Sequence, residues 1–436
     1  MDSILNLVQE YITKKDSEKK WVAGEDLVQY AGPYFDGQEA QAVVRTMLEG
    51  WLVLGKEGAM FERRFPKKLG HKTGVIVNSG SSANLLMMLA LTSKRGMNLP
   101  KGTKVITPIA GFPATLSPAI QVGFTPIFVD IELESLNLDL DQVEQACIDH
   151  PDAKIITFAH VLGNPPNMDK LMRIIDRYEL ILLEDCCDAL GTTYDGKPLG
   201  SFGKMASCSF YPAHHITMGE GGAVSTNDED LHTVMKGLRG WGRYCACKQC
   251  CIRAELPNSF CPKNKFTKDA DLPKDYIVNY QYEWLGYNLK PLDLQAAMLL
   301  AQIEKMPKFN DQRIKNYNKL LKYFKSLKFD FRLWDLQDGV SPFAFPIILP
   351  KDAPFTRKHL IDGMTRNGVE TSLLFGGNLM RQPAYVNSSQ YWESMGKFDN
   401  SNLITDQFIM FGVSQVNDDE ITDEMINKID DFMNLW

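Results

Sequence analysis

Between about residues 75 and 226 the chain alternates short apolar or β-branched runs with helical or turn-rich segments. The candidate strands are Gly74–Val77, Val105–Pro108, Pro126–Ile131, Lys154–Ala159, Leu180–Glu184, Met205–Phe210 and Ala223–Thr226. Strands this apolar have no side left for water. Interleaved with amphipathic stretches such as Met168–Tyr178, they predict an α/β fold with a mainly parallel seven-stranded sheet, covered on both faces. Ligands of such sheets bind beyond the carboxyl ends of the strands, so the residues that follow each run are where chemistry is to be sought.

A length of 436 residues exceeds one ordinary core. The pattern turns helical from about 295 to 325, and a strand candidate follows at Phe343–Leu349. We therefore expect a large ligand-binding domain over 1–300 and a smaller α+β domain over 301–436. Residues 244–282 lack periodicity and are rich in Cys, Lys, Asp and Pro, as in a long functional loop. A net charge of −7 argues against a nucleic-acid partner. The first twenty residues are polar, and no 18-residue apolar run is present, so no signal peptide and no membrane partner are expected. The expected compartment is the cytoplasm.

Four segments carry chemistry. Asn78-Ser79-Gly80-Ser81-Ser82-Ala83-Asn84 opens a helix after a strand. Its small residues suit either a phosphate cradle or an ordinary N-cap. Thr107-Pro108-Ile109-Ala110-Gly111-Phe112 and Glu184-Asp185-Cys186-Cys187-Asp188-Ala189-Leu190-Gly191 each follow a strand as well. The fourth is Ser209-Phe210-Tyr211-Pro212-Ala213-His214-His215-Ile216-Thr217-Met218-Gly219-Glu220-Gly221-Gly222.

In order and spacing these segments resemble the sugar aminotransferases that use pyridoxal phosphate (PLP), an aspartate aminotransferase-like group of fold type I. The resemblance implies that Gly80, Ser81, Ser82 and Ser209 hold the cofactor phosphate and that Phe112 stacks on the ring. Asp185 matches the carboxylate that pairs with the pyridinium nitrogen. Asn288, in Gly286-Tyr287-Asn288-Leu289-Lys290, matches a residue that reaches the neighbouring subunit's cofactor, which implies a homodimer. Three positions depart. His214 stands where the family has its cofactor-binding lysine, Asp188 replaces a Gln or His, and Tyr211 also differs. An imidazole cannot hold the cofactor covalently, but it moves protons near neutral pH.

These departures resemble a narrower branch, the deoxysugar 3-dehydrases, which act on nucleotide-linked 4-keto-6-deoxyhexoses with pyridoxamine phosphate (PMP). That likeness implies His214 as general base, with Tyr211 and Asp188 beside it. In the CDP-sugar members a 2Fe–2S cluster carries electrons from an NADH-dependent flavin and iron–sulfur reductase. Cys187, Cys245, Cys247 and Cys261 match its ligands, four thiolates being what such a centre needs. Cys250 and Cys251 lie inside the gap and are the alternatives to Cys261, which the downstream context favours. Zinc is the plain alternative for clustered thiols, although Cys245-Ala246-Cys247 taken with a distant Cys187 lacks the C-x₂-C spacing of zinc knuckles. The rival readings are an iron-free GDP-sugar type, a TDP-sugar dehydrase and a non-catalytic protein on the same fold.

Overall fold

The computed structural model describes residues 1–18, 20–243, 271–277 and 280–436. Seven strands form where the apolar runs lie: β1 Thr73–Val77, β2 Lys104–Pro108, β3 Thr125–Val129, β4 Ala153–Ala159, β5 Ile181–Asp185, β6 Met205–Ser209 and β7 Gly222–Thr226. In the C-terminal part follow β8 Ala344–Ile348, β9 Thr371–Ser372, β10 Glu393–Ser394 and β11 Phe408–Gly412. The main sheet has the order β1-β7-β6-β5-β4-β2-β3-β10. Only β7 runs antiparallel to its neighbours.

The expected seven strands are present within a residue or two at each end. The eighth, β10, is a two-residue strand beside β3 that no apolar run announces. A strand of two residues has no periodicity to read.

Burial on both faces explains the uniform composition. Val75 and Val77 of β1 pack with the helices Gly80–Thr92 and Glu229–Arg239, while Ile76 between them joins a second core. That second core takes Ala296, Leu299, Ile303 and Phe309 from the 34-residue helix Asp293–Ser326. Farther along the same helix, Tyr317, Leu320 and Phe324 enter a different core, with Phe345, Phe411 and Ile429. The helix therefore crosses residue 300, and its two halves serve different cores. The sheet β8-β11-β9 backs the core that holds Tyr317, Leu320 and Phe324. Among the described residues no helix is long and apolar enough to cross a membrane.

One buried carboxylate ties the C-terminal elements to the open end of the main sheet. Asp130, directly after β3, accepts hydrogen bonds from the amides of Ile131 (2.8 Å), Asn400 (3.0 Å) and Ser401 (2.9 Å). It also accepts from the Ser401 hydroxyl. Asn400 and Ser401 lie in the first turn of the helix Asp399–Gln407, whose amides have no partner within the helix. Asp130→Ala leaves these donors buried and unpaired. The expected loss is roughly 2–4 kcal/mol of stability in chemical denaturation, and an unchanged midpoint would contradict the anchoring role.

Candidate active site

The carboxyl ends of β1, β5 and β6 meet at one place. Ser79 caps the helix Gly80–Thr92, its hydroxyl accepting from the Ser82 amide (3.0 Å), so the N-cap reading of this segment is correct. The cap uses only part of the helix end. The Ala83 amide turns to the Ser79 carbonyl, which leaves the amides of Gly80 and Ser81 without an acceptor among the described residues. Two free amides at the positive end of a helix suit a phosphate.

The loop lies against the two strands beside it, and glycine makes this possible. A Cβ on Gly80 would come 2.5 Å from the Cβ of Ser209, and one on Gly222 would come 2.4 Å from the Ser79 carbonyl oxygen. Ser209, at the end of β6, therefore sits against the helix start, its hydroxyl accepting from the Tyr211 amide (3.3 Å).

Asp185 ends β5 and is buried. One carboxylate oxygen accepts from Asn84 Nδ2 (2.8 Å) and Thr115 Oγ1 (2.7 Å), the other from the Cys187 amide (3.0 Å). Ser207 in turn donates to Asn84 (2.6 Å), which fixes the amide's orientation. Four elements are thus tied to one anion, and among the described residues no lysine or arginine pairs with it. Asn84 stands inside the first motif of the sequence analysis and Thr115 three residues beyond the second, yet nothing in one dimension tells that both face Asp185.

His214 lies in a turn, its amide donating to the Tyr211 carbonyl (3.0 Å). Burial lowers its imidazole to about 4, helped by the Arg313 charge and opposed by Asp185 and a hydrogen bond to the Cys187 backbone. Asp188 is pushed up to about 8, by burial first and by the neighbouring Asp185 charge second. Both groups are thus neutral at pH 7. Their closest approach, 3.7 Å from Nδ1 to Oδ1, is neither an ion pair nor a hydrogen bond. Nδ1 of His214 is buried without a partner among the described residues. Phe343 packs against the ring at 5.4 Å between centroids.

His215 turns the other way. It is completely buried, with Nε2 3.2 Å from the Ser341 carbonyl. The turn at Tyr211–Ile216 separates the two adjacent side chains.

Phe112 and Tyr211 are about half exposed, at 51% and 50%. Phe112 stands edge-on to Phe375 (5.8 Å) and borders an open cleft of about 780 Å³ shared with Ser117, Thr371, Phe375, Gln382 and Tyr385. Asn288 is exposed, and the carbonyl of the next residue, Leu289, accepts from the Asn78 amide (2.9 Å), which places this segment beside the Asn78–Asn84 loop. Of the expected cluster cysteines, Cys187 lies next to the site. Burial and the Asp185 charge hold its thiol well above the usual range. Cys245, Cys247 and Cys261, with Cys250 and Cys251, lie outside the described residues.

A family model for the DegT/DnrJ/EryC1/StrS aminotransferases matches residues 33–430. The chain belongs to this family. It is 39% identical, over all of its length and 98% of the relative's, to the lipopolysaccharide biosynthesis protein RfbH of Salmonella typhimurium. It is 36% identical to a dTDP-4-dehydro-2,6-dideoxy-D-glucose 3-dehydratase of Saccharopolyspora spinosa, covering 99% of this chain and 92% of that one. Among solved structures it superposes on an E. coli GDP-4-keto-6-deoxy-D-mannose-3-dehydratase with bound hydrated PLP, with a TM-score of 0.79 and 28% identity. That match covers 94% of this chain and 99% of the other. The fold is that of PLP-dependent aminotransferases.

The residues present fit a pyridoxal-type cofactor. Two unpaired helix amides and Ser209 suit its phosphate, and an anion without a cationic partner suits a protonated ring nitrogen. The buried, unpartnered Nδ1 of His214 suits a proton in transit. Gly80→Ala tests the cradle. Its new methyl displaces Ser209 and should weaken PMP binding about tenfold or more in a fluorescence titration, equal to about 1.4 kcal/mol. Unaltered affinity would place the phosphate elsewhere.

Proposed function

We propose that the chain is a PMP-dependent 3-dehydrase of a nucleotide-linked 4-keto-6-deoxyhexose, acting in deoxysugar synthesis. The observation that carries this reading is the histidine in the lysine's place, with a free buried nitrogen beside a neutral Asp188. When bound, PMP supplies an amine for the sugar's ketone and a ring that accepts electrons. Asp185 would keep the ring nitrogen protonated, since a buried anion without a cation stabilises a positive charge placed against it. His214 would take up and return a proton at Nδ1, being neutral from about pH 4 upward. Asp188, protonated up to about pH 8, stands beside it as a proton donor or relay. Loss of the sugar's 3-hydroxyl as water completes the elimination. Without a lysine amine, nothing in this segment competes for the sugar's attachment to the cofactor. The cleft beside Phe112 offers the approach for the nucleotide sugar.

In this reading Cys187, Cys245, Cys247 and Cys261 bind a 2Fe–2S cluster. Cys187 follows Asp185 by two residues, which sets that ligand beside the cofactor's ring end. Two electrons from NADH, passed one at a time by a separate flavin and iron–sulfur reductase, would cross this cluster to the dehydrated sugar. The CDP-linked hexulose is the first candidate substrate. Anaerobic turnover with CDP-, GDP- and TDP-linked 4-keto-6-deoxyhexoses, followed by NMR of the product, identifies the nucleotide. A homodimer in which Asn288 reaches the partner's phosphate site belongs to the same proposal.

His214→Asn should still bind PMP but lose elimination by roughly 10²–10⁴-fold. Near-wild-type elimination in that variant would overturn the assignment. Wild-type protein loaded with PLP should show no borohydride-fixed adduct within residues 209–223.

The metal reading predicts brown protein after anaerobic preparation, with about two irons per chain and a rhombic EPR signal on one-electron reduction. Cys261→Ser should lower the iron content and abolish reduction while elimination continues. Zinc in place of iron, or a requirement for Cys250 or Cys251 instead of Cys261, would refute the ligand set. Anaerobically prepared wild-type protein that holds no iron, and whose turnover ends with a released ketosugar rather than a reduced product, would leave the iron-free dehydratase as the function.

A further inference from the structure

The helix Asp293–Ser326 buries an apolar stripe through Met306, Phe309, Tyr317, Leu320 and Phe324. Arg313 occupies the same stripe, four residues after Phe309 and four before Tyr317. It is the largest completely buried side chain among the described residues. No carboxylate lies within ion-pair distance of its guanidinium among these residues. A buried cation without an anion is costly, and a methionine or leucine would fill the stripe without that cost.

What the guanidinium does hold is specific. Nε donates to Gln415 Oε1 (2.8 Å), and Nη1 donates to the carbonyls of Phe343 (3.1 Å) and Pro342 (3.4 Å). Nη2 donates to the carbonyl of His214 (3.2 Å). Gln415 passes the grip along, its Nε2 donating to the carbonyl of His215 (3.3 Å). Two successive carbonyls of the histidine turn are therefore held from outside the turn, one by Arg313 and one by Gln415. Phe343, whose carbonyl Arg313 also holds, is the residue whose ring packs against both His214 and His215. One turn later on the helix, Asn316 holds the carbonyls of Val413, Ser414 and Asn417, which anchors the segment that presents Gln415.

We propose that Arg313 and Gln415 together form a positioning clamp for the base of the reaction: they fix the backbone of His214 and His215 so that only the first imidazole faces Asp188 and the cofactor site. This inference rests on the reading of His214 as the proton-moving group. The planar fork is essential to it, since one guanidinium serves four oxygens in fixed directions and an ammonium cannot.

The test uses the full-length protein with Arg313→Lys, Gln415→Ala and the double variant, beside His214→Asn. In the cofactor-free protein, hydrogen–deuterium exchange of the peptide spanning 210–218 should quicken about tenfold or more in either single variant. In PMP-loaded enzyme, single-turnover elimination should slow by roughly tenfold to hundredfold, the penalty of misplacing a reacting group by about an ångström. PMP affinity and substrate KM should stay within about threefold. The double variant should be little slower than the worse single one, as expected of two residues acting as a unit. A purely structural role predicts instead a lower melting temperature with an unchanged rate per folded molecule, and that result overturns the clamp. If Arg313→Lys does not fold, Gln415→Ala decides alone, an unaltered elimination rate again refuting the proposal. Full elimination by His214→Asn would mark failure of the functional reading itself, whereas loss there with wild-type rates in both clamp variants would mark failure of the clamp only.

Discussion

The buried carboxylate of Asp185 is the constraint around which the site is assembled. An anion withdrawn from water is tolerated only if its lone pairs are occupied. Here they are occupied by Asn84, Thr115 and the amide of Cys187, from the helices that follow β1 and β2 and from the turn that follows β5. Satisfying one carboxylate therefore fixes the mutual positions of the Asn78–Asn84 loop, the Phe112 loop and the Cys187–Asp188 turn. All the donors are neutral, so the negative charge is solvated but not cancelled. That distinction makes the spot suitable for a cationic ring nitrogen, where an arginine or lysine neighbour would have abolished the preference.

A second consequence of the same charge appears at Asp188. A carboxyl withdrawn from water and facing a neighbouring negative charge is disfavoured as an anion. Asp188 is pushed up to about 8, by burial first and by its neighbour second. The imidazole of His214 thus faces a neutral acid rather than an anion, so it lacks the partner that would hold it protonated. Burial, with the Arg313 charge in support, keeps the ring neutral. A neutral imidazole offers a lone pair.

The small β8-β11-β9 sheet matters to the site through what it presents. Phe343 and Gln415 lie just outside β8 and β11, and both reach the histidine turn. Arg313 supports them from a helix whose earlier half packs on the main sheet. Asp130 closes the assembly from the other side by holding the helix Asp399–Gln407 to the carboxyl end of β3. The site is therefore fixed by contacts from both cores.

Much of this was legible in the chain. Strands buried on both faces must be apolar throughout, so their number and near-limits could be read, and carboxyl-end residues such as Asp185 and Ser209 followed from the fold class. Arg313 left a trace as well: a charged residue at a core position of an amphipathic helix, 3.6-residue periodicity placing it between Phe309 and Tyr317. The reverse held for β10, which exists only because β3 offers an open edge to a passing segment.

What the sequence by itself determined was the parallel sheet, the order of the site motifs and the exchange of lysine for histidine. These depend on residue type and local periodicity, which short-range sterics and burial enforce. The tertiary structure alone decided that Asn84, Thr115 and Cys187 share one carboxylate, that Asp188 is neutral, and that His214 and His215 part company. It also decided which carbonyls Arg313 holds. Hydrogen-bond direction and desolvation depend on which distant segments are packed together, and that information exists only once the chain has closed on itself.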